Sequence, residues 1–390
     1  MEDRQMLFTN IWYVAESSDK VTDQPVSVRM LGRDFVLFRD SNGAPVCLSG
    51  VCPHRGADLS QGKCEPDGTV GCPFHAWRFD STGKCTKIPS NKDPVGEIPT
   101  AARVDSYPTQ EKYGYIWTFL GDDLENAAPI LDIPEFEDPE WSKVTHAVTW
   151  NCNQHWAKQL DLDHVHLPIV HGIGFGGDNP VRPPDHTVEY RDDGGFGTKI
   201  VGKPDITKGK WLELRDTRST VTSVFKYFVA GFTSRGKVAV GGVDNGTYNI
   251  FYQFTTPIDE ENTRMYYTFF RNFMPGPEGD AEHLRRNCRN IYQDKSLAEK
   301  VMPKRAPDVP VYPTITADLE DKLIGAYWKV LQDLRNKGWQ IDRVQLEALD
   351  KNGDYRTIPS PARRQDGPEE WVFEEIPRIA GIDKAQRDVA

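Results

Sequence analysis

The first third of the chain alternates between apolar and polar positions in short bursts. "VSVRMLG", "DFVLFRD", "APVCLSG" and, further on, "GYIWTFLG" are separated by Gly, Asn and Asp, the pattern of antiparallel strands joined by tight turns. Residues 127–141, "AAPILDIPEFEDPEW", break this pattern with prolines and acids and predict a boundary. Beyond it the spacing predicts helices over 152–166, 279–302 and 317–337. The second of these carries Leu284, Cys288, Ile291, Ala298 and Val301 in one broad stripe and is closed by Pro303. "KWLELRDTRSTVTSVFKYFVAG", "GTYNIFYQFTTPID" and "NTRMYYTFFRNFM" lie between the helices, alternate again, and are rich in aromatics. The prediction is an α+β chain. A small antiparallel β domain spans residues 1–135, and a second domain spans 140–390, with a curved antiparallel sheet closing over a long helix. The last fifty residues are polar and proline-rich and carry no chemical motif; they are suited to wrapping a neighbouring subunit.

Composition narrows the class. The chain has 390 residues, of which 38% are apolar and 27% charged, as in globular proteins. A net charge of −11 argues against a nucleic-acid partner. The start, "MEDRQMLFTNIWYVA", lacks the basic residues and apolar run of a signal peptide, and no stretch is long enough to span a bilayer. Seven cysteines, an odd number spread over a long chain, suit metal ligands or free thiols in a reducing compartment, hence the cytoplasm.

The cysteines then acquire a pattern. Cys52 and His54 form C-x-H, Cys72 and His75 form C-x-x-H, and 17 residues separate His54 from Cys72. Each pair adjoins a proline, in "CPHRG" and "CPFHAW", which stiffens the loop that carries it. Two thiolates and two imidazoles suit either a zinc ion or a [2Fe–2S] cluster with both histidines on one iron. Zinc fingers keep like ligands together, whereas each loop here mixes one Cys with one His. Cys64, Cys47 and Cys85 match neither pair and read as structural. The long motif resembles a Rieske [2Fe–2S] domain. That resemblance implies a cluster held by Cys52, His54, Cys72 and His75, with Arg55 and Trp77 flanking it. Its potential would lie at roughly −150 to +300 mV.

A second concentration follows in "NCNQHWAKQLDLDHVHLPIVHG", which holds His155, His164, His166 and His171, four of the nine histidines. Asp163 and His166 share a helix face. His171 lies five residues beyond His166, the wrong side of a regular helix, but Pro168 between them predicts a local widening that brings both imidazoles together. Two histidines and a carboxylate leave open positions on an iron. His164 with Asp161 is an alternative pairing, and His155 reads as core or supporting. The carboxylate is sought on the long helix, where Asp294 sits at the edge of the apolar stripe; Glu299 and Asp308 are alternatives.

Asp163-x₂-His166-x₄-His171, "HLPIVH" and "YQDKSLAEKVMP" resemble the Rieske non-haem iron oxygenases. The similarity extends over residues 8–340 and points to the branch of vanillate O-demethylase and pheophorbide a oxygenase. It implies a helix-grip, START-like catalytic domain and a mononuclear Fe(II) at His166, His171 and Asp294. It also implies electrons from NAD(P)H by way of a flavin reductase or ferredoxin. Asp163 would orient an iron-ligand histidine and, as in relatives, touch a cluster histidine of another subunit, which implies a homotrimer. Gln159 lies near the place where relatives carry Asn. The expected reaction is monooxygenation, hydroxylation or O-demethylation of a small aromatic or polycyclic compound. The alternatives are desaturation, oxidative cyclisation or N-oxidation on the same scaffold, and an electron carrier fused to a binding domain. Phe225, Tyr227, Phe228, Phe232, Phe251 and Tyr252 are either pocket wall or sheet core.

Overall fold

A computed structural model describes residues 6–172, 187–202, 221–239, 246–306 and 321–382. Asp308, the first residues of the predicted 317–337 helix and part of the predicted 210–231 strand lie outside these. The chain forms two compact units, one of Met1–Pro129 with Thr256–Glu260 and Leu334–Ala390, the other of Ile130–Thr255 with Glu261–Asp333.

In the first unit the predicted strands form three small antiparallel sheets. β1 (Ile11–Ser17) pairs with β11 (Tyr115–Leu120), which pairs with β10 (Thr109–Lys112). β2 (Val26–Met30), β3 (Arg33–Arg39), β4 (Pro45–Ser49) and β9 (Ser106–Tyr107) form the second sheet. β5 (Lys63–Cys64), β6 (Val70–Gly71), β7 (Arg78–Phe79) and β8 (Cys85–Lys87) form the third. Val36, Phe38, Leu48, Leu59, Val70 and Phe79 make one buried core beneath the last two sheets.

The C-terminal residues complete this unit. The sequence pattern attached them to the second domain or to another subunit, because they carry no apolar periodicity. They bury Leu346, Ile358 and Ile376, and much of the rest of their contribution is polar. Asp105, 1% exposed, accepts Arg363 Nε and Nη2 at 2.7 and 2.8 Å and the hydroxyls of Thr357 and Ser360 at 2.8 Å each. A buried carboxylate is tolerated only when its oxygens are met in this way. Trp371 lies between the guanidinium groups of Arg103 and Arg363, 4.0 and 4.2 Å from its ring.

The second unit is built on an antiparallel sheet of seven strands among the described residues. They run in the order β12 (Ser142–Trp150), β18 (Thr263–Arg271), β17 (Tyr248–Pro257), β16 (Thr233–Ala239), β15 (Val221–Phe228), β14 (Phe196–Gly202), β13 (Glu189–Tyr190). β12 was not predicted: its alternating positions, Val144, His146, Val148 and Trp150, include a histidine that blurs the apolar face. α1 (Gln154–Leu162) is N-capped by the Asn153 side chain, which accepts the His155 N–H at 2.9 Å. α2 (Pro277–Ala298) lays Ile291 and Ala298 against Trp150, Met265, Tyr267 and Phe269. The fold is therefore α+β, with a β N-terminal part and a larger antiparallel sheet that grips a long helix. α3 (Lys322–Asn336) adds Tyr327, whose hydroxyl lies 2.6 Å from His155 Nδ1, so His155 is a core residue.

His283 on α2 is 4% exposed and packs edge-on against Phe269. Burial, with help from Arg271 and Arg286, pushes its pKa down to about 4. The native imidazole is thus neutral while the unfolded one takes a proton near pH 6.5. The stability this confers is complete above about pH 6.5 and is lost as pH falls toward 4. We expect the urea midpoint to drop between pH 7 and 4.5, and His283→Phe to remove about 2 kcal/mol of that dependence.

Candidate metal centres

Two six-residue loops, 52–57 and 72–77, share one construction. Each closes a pair of bridged residues, Val51 with Asp58 and Gly71 with Arg78. Cys52 N–H donates to Ala57 O and Cys72 N–H to Trp77 O, both at 2.8 Å. Gly56 N–H and Ala76 N–H return to Cys52 O and Cys72 O at 2.9 and 3.0 Å. That return requires a left-handed residue at the fifth place, and Gly56 and Ala76 have φ of 70° and 57°. Each turn also aims two backbone N–H groups at its own sulfur, from His54 and Arg55 in one loop and from Phe74 and His75 in the other. Such paired amides favour a thiolate.

The four side chains meet as two like pairs. The Cys52 thiol donates to the Cys72 sulfur, which draws Cys72 down to about 6 and drives Cys52 up. The rings of His54 and His75 lie 4.7 Å apart. Both cysteines are buried, His54 is half-buried and stacks on Trp77 at 4.5 Å, and His75 is exposed. Arg55 is exposed beside them. A single tetrahedral zinc would draw all four donors to one point. Among the described residues that convergence occurs elsewhere. Sulfurs inward and imidazoles outward fit a two-iron cluster with a sulfur end and a nitrogen end. Cys47, Cys64 and Cys85 stand apart, and burial raises all three, Cys47 to about 12.

The other convergence is His166, His171 and Asp294, whose ligand atoms all lie within 4.8 Å of one another. Residues Leu167–His171 form a π-helical turn with Pro168 in it, ended by Gly172 at φ 69°. The five-residue period brings the two rings to one side, 5.2 Å apart and 77° to each other. Asp294 Oδ1 lies 3.0 Å from His171 Nε2 and 3.5 Å from His166 Nε2. Although burial works against a charge on His166, Asp163 and Asp294 raise its pKa. Asp163 Oδ1 accepts the Val165 N–H at 2.7 Å, and its Oδ2 stands 3.7 Å from His166 Nδ1. His171 Nδ1 is met by Gln293 Oε1 at 2.9 Å. Sequence reasoning missed Gln293; its only signal is its place before Asp294. His164 turns away, 4.3 Å from the Phe225 ring. Glu299 is engaged by Lys295 and by Asn151 N–H.

Residues 11–108 match the family described as the Rieske [2Fe-2S] domain. The oxygenase component of chloroacetanilide N-alkylformylase from Rhizorhabdus wittichii is 26% identical over 307 residues, 76% of this chain and 86% of that protein. The 4beta-methylsterol monooxygenase of Methylococcus capsulatus is 37% identical over 270 residues, 67% of this chain and 68% of that protein. The chain belongs to the Rieske non-haem iron oxygenases. Other curated relatives are matched over 26% to 50% of their own length. Pseudomonas putida CBB5 NdmA with caffeine shares the fold, with a TM-score of 0.70 at 20% identity over 88% of this chain and 92% of that one. The protein is accordingly an oxidoreductase of a family that uses a Rieske cluster and a non-haem iron.

The residues of this Rieske oxygenase fit both groups. His166 Nδ1 and Nε2, Asp294 Oδ1 and His54 Nδ1 are buried and carry no hydrogen bond. Uncompensated atoms of this kind cost stability unless something binds them. No described helix is long and apolar enough to cross a membrane. The Gln293 contact fixes the proton of His171 on Nδ1 and leaves Nε2 free to ligate. Gln293→Leu is expected to weaken metal binding at this centre by roughly 10- to 100-fold, measured by Co(II) titration, with the cluster spectrum unchanged.

Proposed function

We propose that this chain is the terminal oxygenase of a multicomponent system. In it Cys52, His54, Cys72 and His75 hold the cluster, and His166, His171 and Asp294 hold Fe(II). The observation that carries this reading is the π turn over Leu167–His171, which places two imidazoles beside a carboxylate from α2 and leaves both His166 nitrogens and Asp294 Oδ1 without a hydrogen bond. When bound, the cluster supplies single electrons and the Fe(II) supplies a centre with open positions for O₂. The chain's own residues do the rest. Asp163 orients His166, Gln293 orients His171, and Asp294 brings the negative charge that retains a divalent ion. The first unit, which carries the cluster loops, then acts as the electron-receiving part and the second as the catalytic one.

The exposed imidazole of His75 offers a docking point for a ferredoxin or flavin reductase drawing on NAD(P)H. Asp163, with 29% of its side chain exposed, has room to meet a cluster histidine of another subunit in a homotrimer. The five cysteines outside the cluster loops, none in a disulfide, support a cytoplasmic setting. The substrate is a small aromatic or polycyclic compound that undergoes monooxygenation, hydroxylation or O-demethylation. The test is anaerobic purification, metal analysis and oxygen uptake. Two irons with two labile sulfides, one further iron, and O₂ uptake that depends on substrate and NAD(P)H-linked reductase are expected. Stoichiometric zinc at the N-terminal loops would refute the assignment.

A further inference from the structure

The second unit contains a small pocket whose wall includes Phe196, Phe225, Tyr227 and Phe251. One end of it is different. Lys158, on α1, is 0% exposed, and its ammonium donates to Asp161 Oδ2 at 3.1 Å and to Ser234 Oγ at 3.0 Å. Asp161 and Ser234 both line the pocket. Arg235, also in the wall, is already engaged by Glu135 and by the Tyr252 hydroxyl, each at 2.7 Å.

A fully buried ion pair is a poor device for stability, since an apolar pair of similar volume usually does as well or better. Its position at the end of an aromatic pocket calls for another use. Lys158 occupies one oxygen of Asp161. Among the described residues nothing hydrogen-bonds the other, and 11% of the side chain remains accessible. Ser234 accepts from Lys158 with its oxygen, so its own proton remains to be donated. The pocket end therefore presents one acceptor and one donor side by side, with the charge of the acceptor already balanced. A hydroxyl group is the complement, being both donor and acceptor. A carboxylate would put its oxygens against Asp161, and an ether could not donate. The pocket adjoins the metal centre in the chain: His164, in its wall, lies two residues before His166. Tyr267, buried, has its pKa raised first by burial and then by the charges of both Asp161 and Asp294.

We propose that Asp161 and Ser234, held by Lys158, form the recognition end of the substrate pocket and select an uncharged ring compound bearing a hydroxyl group over a carboxylate. This rests on the oxygenase reading for the identity of the pocket's occupant as substrate. 2-Naphthol, 2-methoxynaphthalene and 2-naphthoate carry the same apolar rings and differ in the polar group, so they are apt probes. Binding is measured by calorimetry on the anaerobic holoenzyme, without reductant, so that no turnover is involved.

2-Naphthol is expected to bind roughly 10- to 100-fold more tightly than either analogue, the range of one charge-assisted hydrogen bond. Ser234→Ala should lose part of that preference. Asp161→Asn strands the Lys158 charge and risks misfolding, so the decisive variant is the double replacement Lys158→Met with Asp161→Leu, which keeps the volume apolar. It should bind naphthol no better than the ether. Equal or tighter binding of naphthoate, binding of none of the three, or a hydroxyl preference that survives the double replacement would each overturn the proposal. Tight naphthol binding to an enzyme that consumes no O₂ when reduced would uphold the recognition site and count against the oxygenase reading instead.

Discussion

Asp163→Asn is expected to keep both metal centres and lose at least about 100-fold in turnover. Asp163 is half-exposed at the C-cap of α1, with one oxygen spent on Val165 N–H and the other facing His166 Nδ1. It is too far from the metal-facing nitrogens to replace Asp294, whose Oδ1 reaches both. Asparagine keeps the shape and removes the negative charge that faces His166 Nδ1. Metal content and the cluster spectrum should be unchanged. In a single turnover, the reduced cluster should fail to reoxidise with substrate and O₂ present. Mixing Asp163→Asn with Cys52→Ser subunits should restore some activity after reassembly, because a sound cluster on one chain then serves a sound iron site on another. No recovery in verified mixed oligomers would confine the coupling to one chain and remove the reason for a ring.

The second large effect separates two histidines only two residues apart. His166→Ala should abolish mononuclear iron binding and turnover and leave the N-terminal cluster intact, since His166 provides one corner of the 4.8 Å group. His164→Ala should retain the iron. Its ring is buried against Phe225 in the pocket wall, so the loss expected there is in KM. Loss of iron with His164→Ala would move the assignment by two residues.

These contrasts were legible in the sequence to different degrees. The cluster loops were, because proline and a fixed Cys–His spacing are local, and so is the turn they build. The π turn was legible for the same reason: a five-residue His–His interval with Pro168 inside it fits no regular helix. Asp294 could be found because an acid at the edge of an apolar stripe is anomalous. Gln293 beside it is not anomalous anywhere in a helix, and only the folded distance to His171 reveals it. β12 was missed because His146 occupies a place where alternation wants an apolar residue. The pocket end was missed because Lys158 and Asp161 look like an ordinary i,i+3 surface pair; the partner that joins them, Ser234, is on a strand far along the chain.

The clasp on Asp105 has a consequence for the order in which the protein is made. Arg363, which satisfies that carboxylate, lies 258 residues further along the chain. Until the ribosome has released it, the N-terminal strands carry an acid that water must solvate, and the loop to be closed spans well over half of the chain. The first unit begun is thus the last completed. Cleavage upstream of Thr357 should not merely shorten the chain but reopen the N-terminal unit at Asp105, exposing its amides to hydrogen exchange from the end that was synthesised first.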